Sequence, residues 1–143
     1  SGARGAVRMV RTSLRSFRLH LGESGRHGQP PYVTYLVVTR TAGAARAFQA
    51  LRRYSDFVAL QQRLKDLTSA QLPRLPGKQA TARKDFFFYE TRRRQLQDWL
   101  QKLVEDCECH CKTLWAFLAL DEAAARSVAL EWSLRLYPED EDG

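Results

Sequence analysis

Apolar and polar residues alternate early in the chain. Phe17, Leu19 and Leu21 are separated by Arg18 and His20, a period of two that predicts a β-strand from Val7 to Leu21. Leu14 falls out of phase with these positions, and an extra residue at a β-bulge would restore the pattern. Gly22 to Pro31 is rich in Gly, Pro and Ser and is expected to turn the chain. Tyr32 to Arg40, dominated by Thr, Val and Tyr, predicts a second strand. After a turn at Gly43, a third runs from Arg46 to Arg53. Three strands joined by short turns make an antiparallel meander.

The period then lengthens. From Ser55, the expected N-cap, Phe57, Leu60, Leu64 and Leu67 fall on one face of a helix. In Leu72-Pro73-Arg74-Leu75-Pro76-Gly77-Lys78 the two prolines favour an extended left-handed segment that Gly77 ends. Gln79 to Asp85 is polar, basic and without period, hence a loop. A long helix is expected from Phe88 to Glu105, burying Leu96, Trp99, Leu100 and Leu103, and a shorter one from Thr113 to Leu120. A last amphipathic stretch covers Glu122 to Tyr137, ahead of the acidic end Glu139 to Asp142. The fold class that follows is α+β: a three-stranded antiparallel meander packed against a helical subdomain with a Pro-rich loop, plus an extra C-terminal helix.

At 143 residues the chain has room for one domain and an appended element. Residues 1–6 are expected to be a disordered lead, with Ser1 and Gly2 resembling the remnant of a cleaved expression tag, and residues 122–143 an addition to the domain at 7–121. The longest apolar runs, Tyr35 to Val38 and Leu114 to Leu120, are far too short to cross a bilayer. Cys107, Cys109 and Cys111 are an odd number packed into five residues, which suits a reducing compartment better than a disulfide framework. The net charge of +7 is unevenly placed: residues 1–112 hold 21 Lys and Arg against 9 Asp and Glu, whereas residues 113–143 hold 2 against 7. An anionic partner is therefore expected on the first part, although charge alone leaves nucleic acid, lipid headgroup and acidic protein all open.

Three motifs narrow the choice. Arg52-Arg53-Tyr54-Ser55-Asp56-Phe57 sits at the strand-to-helix junction, the Leu72 to Lys78 segment follows about twenty residues on, and Arg92-Arg93-Arg94-Gln95-Leu96-Gln97-Asp98-Trp99-Leu100 occupies the long helix. In this order and spacing they resemble the phox-homology (PX) domain, the phosphoinositide-binding module of sorting nexins and NADPH oxidase subunits. The resemblance spans Val7 to Asp121 and includes the closing Phe117-Leu118-Ala119-Leu120-Asp121. It implies that Arg53 binds the 3-phosphate, Tyr54 stacks beneath the inositol ring, Lys78 meets the 1-phosphate and Arg92 the 4- and 5-hydroxyls. It also implies phosphatidylinositol 3-phosphate as the lipid, with a bisphosphorylated lipid left open because Arg93 and Arg94 could serve a second phosphate, and peripheral attachment to early endosomal membranes in the cytoplasm. The chemistry agrees: a planar Arg fork matches a phosphate dianion, a Lys point charge suffices for a phosphodiester, and a flat ring suits an aromatic platform. The family commonly has a further Pro ahead of this core, where Gln71-Leu72 stands here. The Lys78 to Arg92 interval is short, and Phe86 and Phe87 are its candidate membrane wedges, with Phe88 and Tyr89 expected as buried anchors.

Competing readings are weaker. Pro73 and Pro76 form a PxxP that an SH3 groove could take, but the same prolines are structural in the resembling module. The Cys-Glu-Cys-His-Cys run lacks the paired knuckles of a zinc site, so no metal or cofactor is expected. His20, His27 and His110 are scattered, and no Gly-rich phosphate loop or nucleophile motif occurs, which argues against an enzyme. Basic groups among aromatics also describe RNA binding, yet no nucleic-acid motif is present. Another alternative is a module that contacts proteins with little lipid binding. In the last helix Val128, Trp132 and Arg135 to Leu136 share one face and Leu130, Leu134 and Tyr137 an adjoining one, an arc wide enough to want a partner: its own domain, its counterpart in a dimer, or a larger helical region, with protein contacts expected through it.

Overall fold

The computed structural model describes residues 9–22, 28, 30–78 and 84–136. The expected strand start at Val7, the lead at 1–6, the loop residues 79–83 and the acidic end lie outside the described residues. Strands β1 (Val10–His20), β2 (Tyr32–Thr41) and β3 (Phe48–Arg53) form one antiparallel sheet in that order. The register of β1 on β2 shifts between Leu14 and Ser16, which is the bulge that the phase of Leu14 requires. Before the bulge Val10, Thr12 and Leu14 point inward; after it Phe17 does. The alternation outruns the core, however, and Leu19 and Leu21 are exposed at the far end. The third strand starts at Phe48 rather than Arg46, because residues 42–47 form the turn that carries Gly43 at φ +87°.

Helix α1 spans Tyr54–Leu67 and α2 Phe86–Glu105; a 3₁₀ turn at Cys107–Cys109 leads to α3 (Lys112–Phe117) and then to α4 (Glu122–Leu136). The N-cap of α1 is Arg53, not Ser55: the Asp56 carboxylate accepts from the Arg53 backbone N–H at 2.7 Å, so the helix begins directly at the strand end. Phe57, Leu60 and Leu64 bury into the core, whereas Leu67 is exposed in the final turn. The long helix begins two residues earlier than its apolar period indicates, because Asp85 caps it by accepting from Phe88 N at 3.0 Å. The short helix stops at Phe117, since Ala119 at φ +60° turns the chain.

The core lies where α1 and α2 cover the sheet, with Leu14, Tyr35, Val37, Phe57, Leu64, Leu96, Leu100 and Leu103 fully buried. Helix α2 also closes the open edge of β1. Gln101 Oε1 accepts from Thr12 N at 2.8 Å, Gln97 Oε1 accepts from Leu14 N at 3.0 Å, and Arg93 donates to Leu14 O at 2.6 Å. Backbone groups left unpaired by the edge and bulge are met by side chains of the helix laid over them. Helix α4 docks through Ala124, Val128 and Trp132, spaced four apart, and leaves Leu130 and Leu134 exposed. Tyr137 lies outside the described residues. No helix among the described residues is long and apolar enough to cross a membrane.

Candidate functional site

One open cavity of about 410 Å³ lies where the β3 to α1 junction, the proline segment and the start of α2 meet. Arg53, Tyr54, Lys78 and Arg92, taken from three separate motifs, all line it. Tyr32, Tyr35, Lys84, Phe88 and Tyr89 complete much of its wall.

The two tandem arginines divide their roles by strand alternation. Arg52 points toward α3, where its Nε donates to Phe117 O at 2.9 Å and its second terminal nitrogen to Ala116 O at 3.2 Å, with the guanidinium 5.4 Å from the Phe117 ring. A cation on the last carbonyls of a helix is a structural fixture. Arg53 points the other way, is exposed, and lies 4.4 Å over the Tyr32 ring. Tyr32 is itself stacked on His20 at 4.5 Å with planes 7° apart, and His20 Nε2 is 2.8 Å from Thr34 Oγ1. The Arg53 fork thus rests on a column of flat rings that limits its freedom without neutralising its charge.

Tyr54, Trp99 and Arg92 hold the proline segment by its carbonyls. Tyr54 Oη donates to Pro76 O at 2.6 Å, Trp99 Nε1 to Pro73 O at 2.9 Å, and Arg92 to Gly77 O at 2.7 Å. Proline donates no N–H, so this segment has no ladder of its own and depends on such donors. Arg92 is only 8% exposed, sandwiched 4.0 Å from the Tyr54 ring and 4.7 Å from Phe88. A ligand ring can therefore stack only on the face of Tyr54 that Arg92 leaves open. Lys78, next after Gly77, and Lys84 are both exposed and both line the cavity.

No carboxylate among the described residues pairs with the side chain of Arg53, Lys78, Lys84 or Arg92. Four cations lining one cavity, with no counter-charge on their side chains among the described residues and with aromatic walls beside them, suit a compact polyanion that carries a ring. The other two arginines of the triplet do not converge with them. Arg93 is held by Glu90, whose carboxyl it keeps below the usual range by hydrogen bonding, and by Leu14 O; Arg94 is largely exposed, 3.4 Å from the same carboxylate.

Phe86 and Phe87 lie in the first turn of α2 rather than in a loop, yet they are 65% and 77% exposed. Phe86 is partly tethered, 5.5 Å from Phe17, and Phe87 is the more exposed of the two. Leu19 and Leu21, on the strand face of Phe17, add exposed apolar surface that the sequence reading did not single out. Tyr32 and Lys84 were also missed. Tyr32 sits across from His20, two residues before Thr34, the partner of Arg53, so counting register would have found it as a diagonal neighbour. Lys84 would have followed from placing the helix cap at Asp85.

At the far end of the molecule, both ring nitrogens of His110 are engaged. Its Nε2 bonds Val104 O at 2.7 Å, and its Nδ1 accepts from Trp115 Nε1 at 3.0 Å. Burial holds this imidazole below its ordinary pKa and pushes the Cys109 thiol up to about 12. Among the described residues no group of three His, Cys, Asp or Glu is arranged to hold a metal ion.

Set beside known proteins, residues 41–121 match the family model described as PX domain. No curated protein sequence matches the chain. An X-ray structure of a designed CISK-PX domain superposes with a TM-score of 0.59 at 26% identity, covering 77% of this chain and 99% of that one. The mouse SNX19 PX domain, solved with a bound sulphate ion, superposes with a TM-score of 0.57 at 21% identity over 78% of this chain and 97% of that one.

Proposed function

This chain belongs to the PX domain family, generally phosphoinositide-binding and membrane-targeting, and from that premise we propose that its pocket binds phosphatidylinositol 3-phosphate and carries the protein to early endosomal membranes as part of a sorting adaptor. The observation that carries the reading is the meeting of Arg53, Tyr54, Lys78 and Arg92 in one cavity. Arg53 takes the 3-phosphate as a preorganised fork, Tyr54 supports the inositol ring, Lys78 meets the 1-phosphate at the membrane plane, and Arg92 faces the ring hydroxyls. That Arg93 is held by Glu90 and Leu14 O, and that neither it nor Arg94 lines the cavity, supports a singly phosphorylated ring, because neither arginine is brought to the pocket to take a second phosphate. The sulphate bound to the mouse SNX19 domain supports anion binding in this architecture. Phe86 and Phe87 enter the bilayer once the headgroup is engaged. The exposed Leu130 and Leu134 of α4 are assigned to protein contacts, away from the lipid pocket.

Flotation with neutral vesicles doped with each phosphoinositide in turn, at equal surface charge and moderate salt, tests this. Binding confined to the 3-phosphate is expected, and equal binding to every anionic vesicle defeats the isomer assignment.

A further inference from the structure

The pocket has a floor as well as a rim. Tyr35, on the central strand β2, is 1% exposed and lines the cavity from below. Its ring is fixed by Phe57, edge-on at 6.4 Å, and by Phe17 at 6.5 Å. Among the described residues its hydroxyl has no hydrogen-bond partner, and it is not one of the fully enclosed unpartnered polar atoms, which are Thr39 Oγ1 and Trp132 Nε1, so the little of this side chain that is accessible includes the hydroxyl. Two other residues of the same cavity act on that hydroxyl electrostatically, Arg92 and Tyr89. Burial outweighs the pull of Arg92 and pushes the phenol up to about 12, so at any working pH it keeps its proton and can donate.

What such a floor accepts follows from its chemistry. A phenol and a sugar hydroxyl each offer one donor and two acceptor lone pairs, so they suit one another. A phosphate dianion offers acceptors only, and here it would meet one neutral donor, aromatic walls and an Arg92 that already spends an N–H on Gly77 O. Of the cavity's cations only Arg92 acts on that hydroxyl among the described residues, so a dianion seated there would have one partly engaged cation to offset its desolvation.

We propose that Tyr35 is a further headgroup-contacting residue, whose hydroxyl bonds an unphosphorylated hydroxyl of the inositol ring at the pocket floor and so selects against a second phosphate there. The inference rests on the reading of the cavity as a phosphoinositide site.

Tyr35→Phe removes the hydroxyl and keeps the ring that Phe57 and Phe17 hold. Titration calorimetry with soluble inositol 1,3-bisphosphate, and with its 4-deoxy and 5-deoxy analogues, reads the contact directly. The variant should melt at or above the wild-type temperature and bind the parent headgroup roughly three- to tenfold more weakly, the worth of one such bond. With one of the two deoxy analogues, the difference between wild type and variant should vanish, as a pairwise contact requires. If Tyr35→Phe binds the parent headgroup like wild type while Arg53→Ala does not bind, the floor contact is overturned and the pocket assignment stands. An equal loss with the parent and both analogues would make Tyr35 a packing residue and also overturn it. If the wild type itself binds no soluble inositol phosphate, the pocket reading fails and the floor contact falls with it.

Discussion

Arg52 and Arg53 are neighbours of the same type, and the structure predicts opposite consequences for losing them. Truncating Arg52 to Ala removes two hydrogen bonds to the last carbonyls of α3, a third to Leu51 O at 3.0 Å, and the contact with the Phe117 ring. A charge at a helix C-terminus contributes about 0.3–1 kcal/mol, a half-exposed cation over a ring about 0.5–1 kcal/mol, and the charge-assisted bonds the rest, for a total of about 1.5–3 kcal/mol. For a chain of this size that lowers the melting temperature by roughly 5 to 12 °C. Arg53→Ala takes away no hydrogen bond of the fold, since only its backbone N–H is used, by Asp56. Its melt should stay within about 3 °C, the worth of the lost contact with Tyr32. Its affinity for a 3-phosphorylated headgroup should fall by roughly 30- to 1,000-fold, the cost of about 2–4 kcal/mol for a charge-assisted contact in a partly desolvated site. Differential scanning fluorimetry and headgroup titration on both variants form a crossed design. A stable Arg52→Ala that has lost the headgroup, or an Arg53→Ala that binds normally, would refute the division of roles.

Two further outcomes follow from the same geometry. Burying a Phe that is three-quarters exposed gains about 1.5–2 kcal/mol, so Phe87→Ser should weaken vesicle binding by about tenfold or more, while titration with the soluble headgroup stays unchanged. Phe86→Ser should do less because Phe17 already covers part of that ring; a loss of soluble headgroup binding by either variant would place these residues in the pocket wall. His110 gives the domain a pH dependence: its folded pKa lies below the ordinary imidazole value, so the unfolded chain binds the proton more readily. Its contribution is complete above about pH 6.5, the unfolded value, and is lost as pH falls below that toward the folded value. Thermal melts at pH 7.5 and 5.5 should show a drop in the wild type that is smaller in His110→Phe, and equal drops would show that the ring is not held neutral.

Much of this arrangement is legible in the sequence, for reasons that differ by element. The bulge at Leu14 could be read because a phase error in a period of two has few other causes. That Arg53, Tyr54, Lys78 and Arg92 would meet in one cavity followed from the resemblance of their three motifs to the PX domain. Helix ends were less legible. The start of α1 at Arg53 and of α2 at Asp85 depends on which carboxylate turns back to a backbone N–H, Asp56 in one case and Asp85 itself in the other, and apolar periodicity is silent about both. The end of α3 depends on Arg52, sixty-five positions away from Phe117 in the chain. The exposure of Leu67, Leu19 and Leu21 was hidden for a related reason, since period shows which face is apolar but not where its cover stops.

The same long-range bonds bear on how the site is tuned. Arg92 lines the cavity, but it also holds Gly77 O, one residue before Lys78, while Tyr54 holds Pro76 O and Trp99 holds Pro73 O. The group that carries Lys78 to the cavity is therefore fastened by the residues that form the wall and the platform. The headgroup contacts proposed for Arg92 and Lys78 would then not be independent, and substitutions at Tyr54 or Arg92 would remove a tether of the proline segment along with any contact to a ligand. Arg53 alone among the four stands on a separate support, the Tyr32 and His20 rings of the sheet. On the proposed reading, the group that would take the phosphate is supported apart from the tethered proline segment, which makes Arg53 the position where loss of charge can be read without loss of shape.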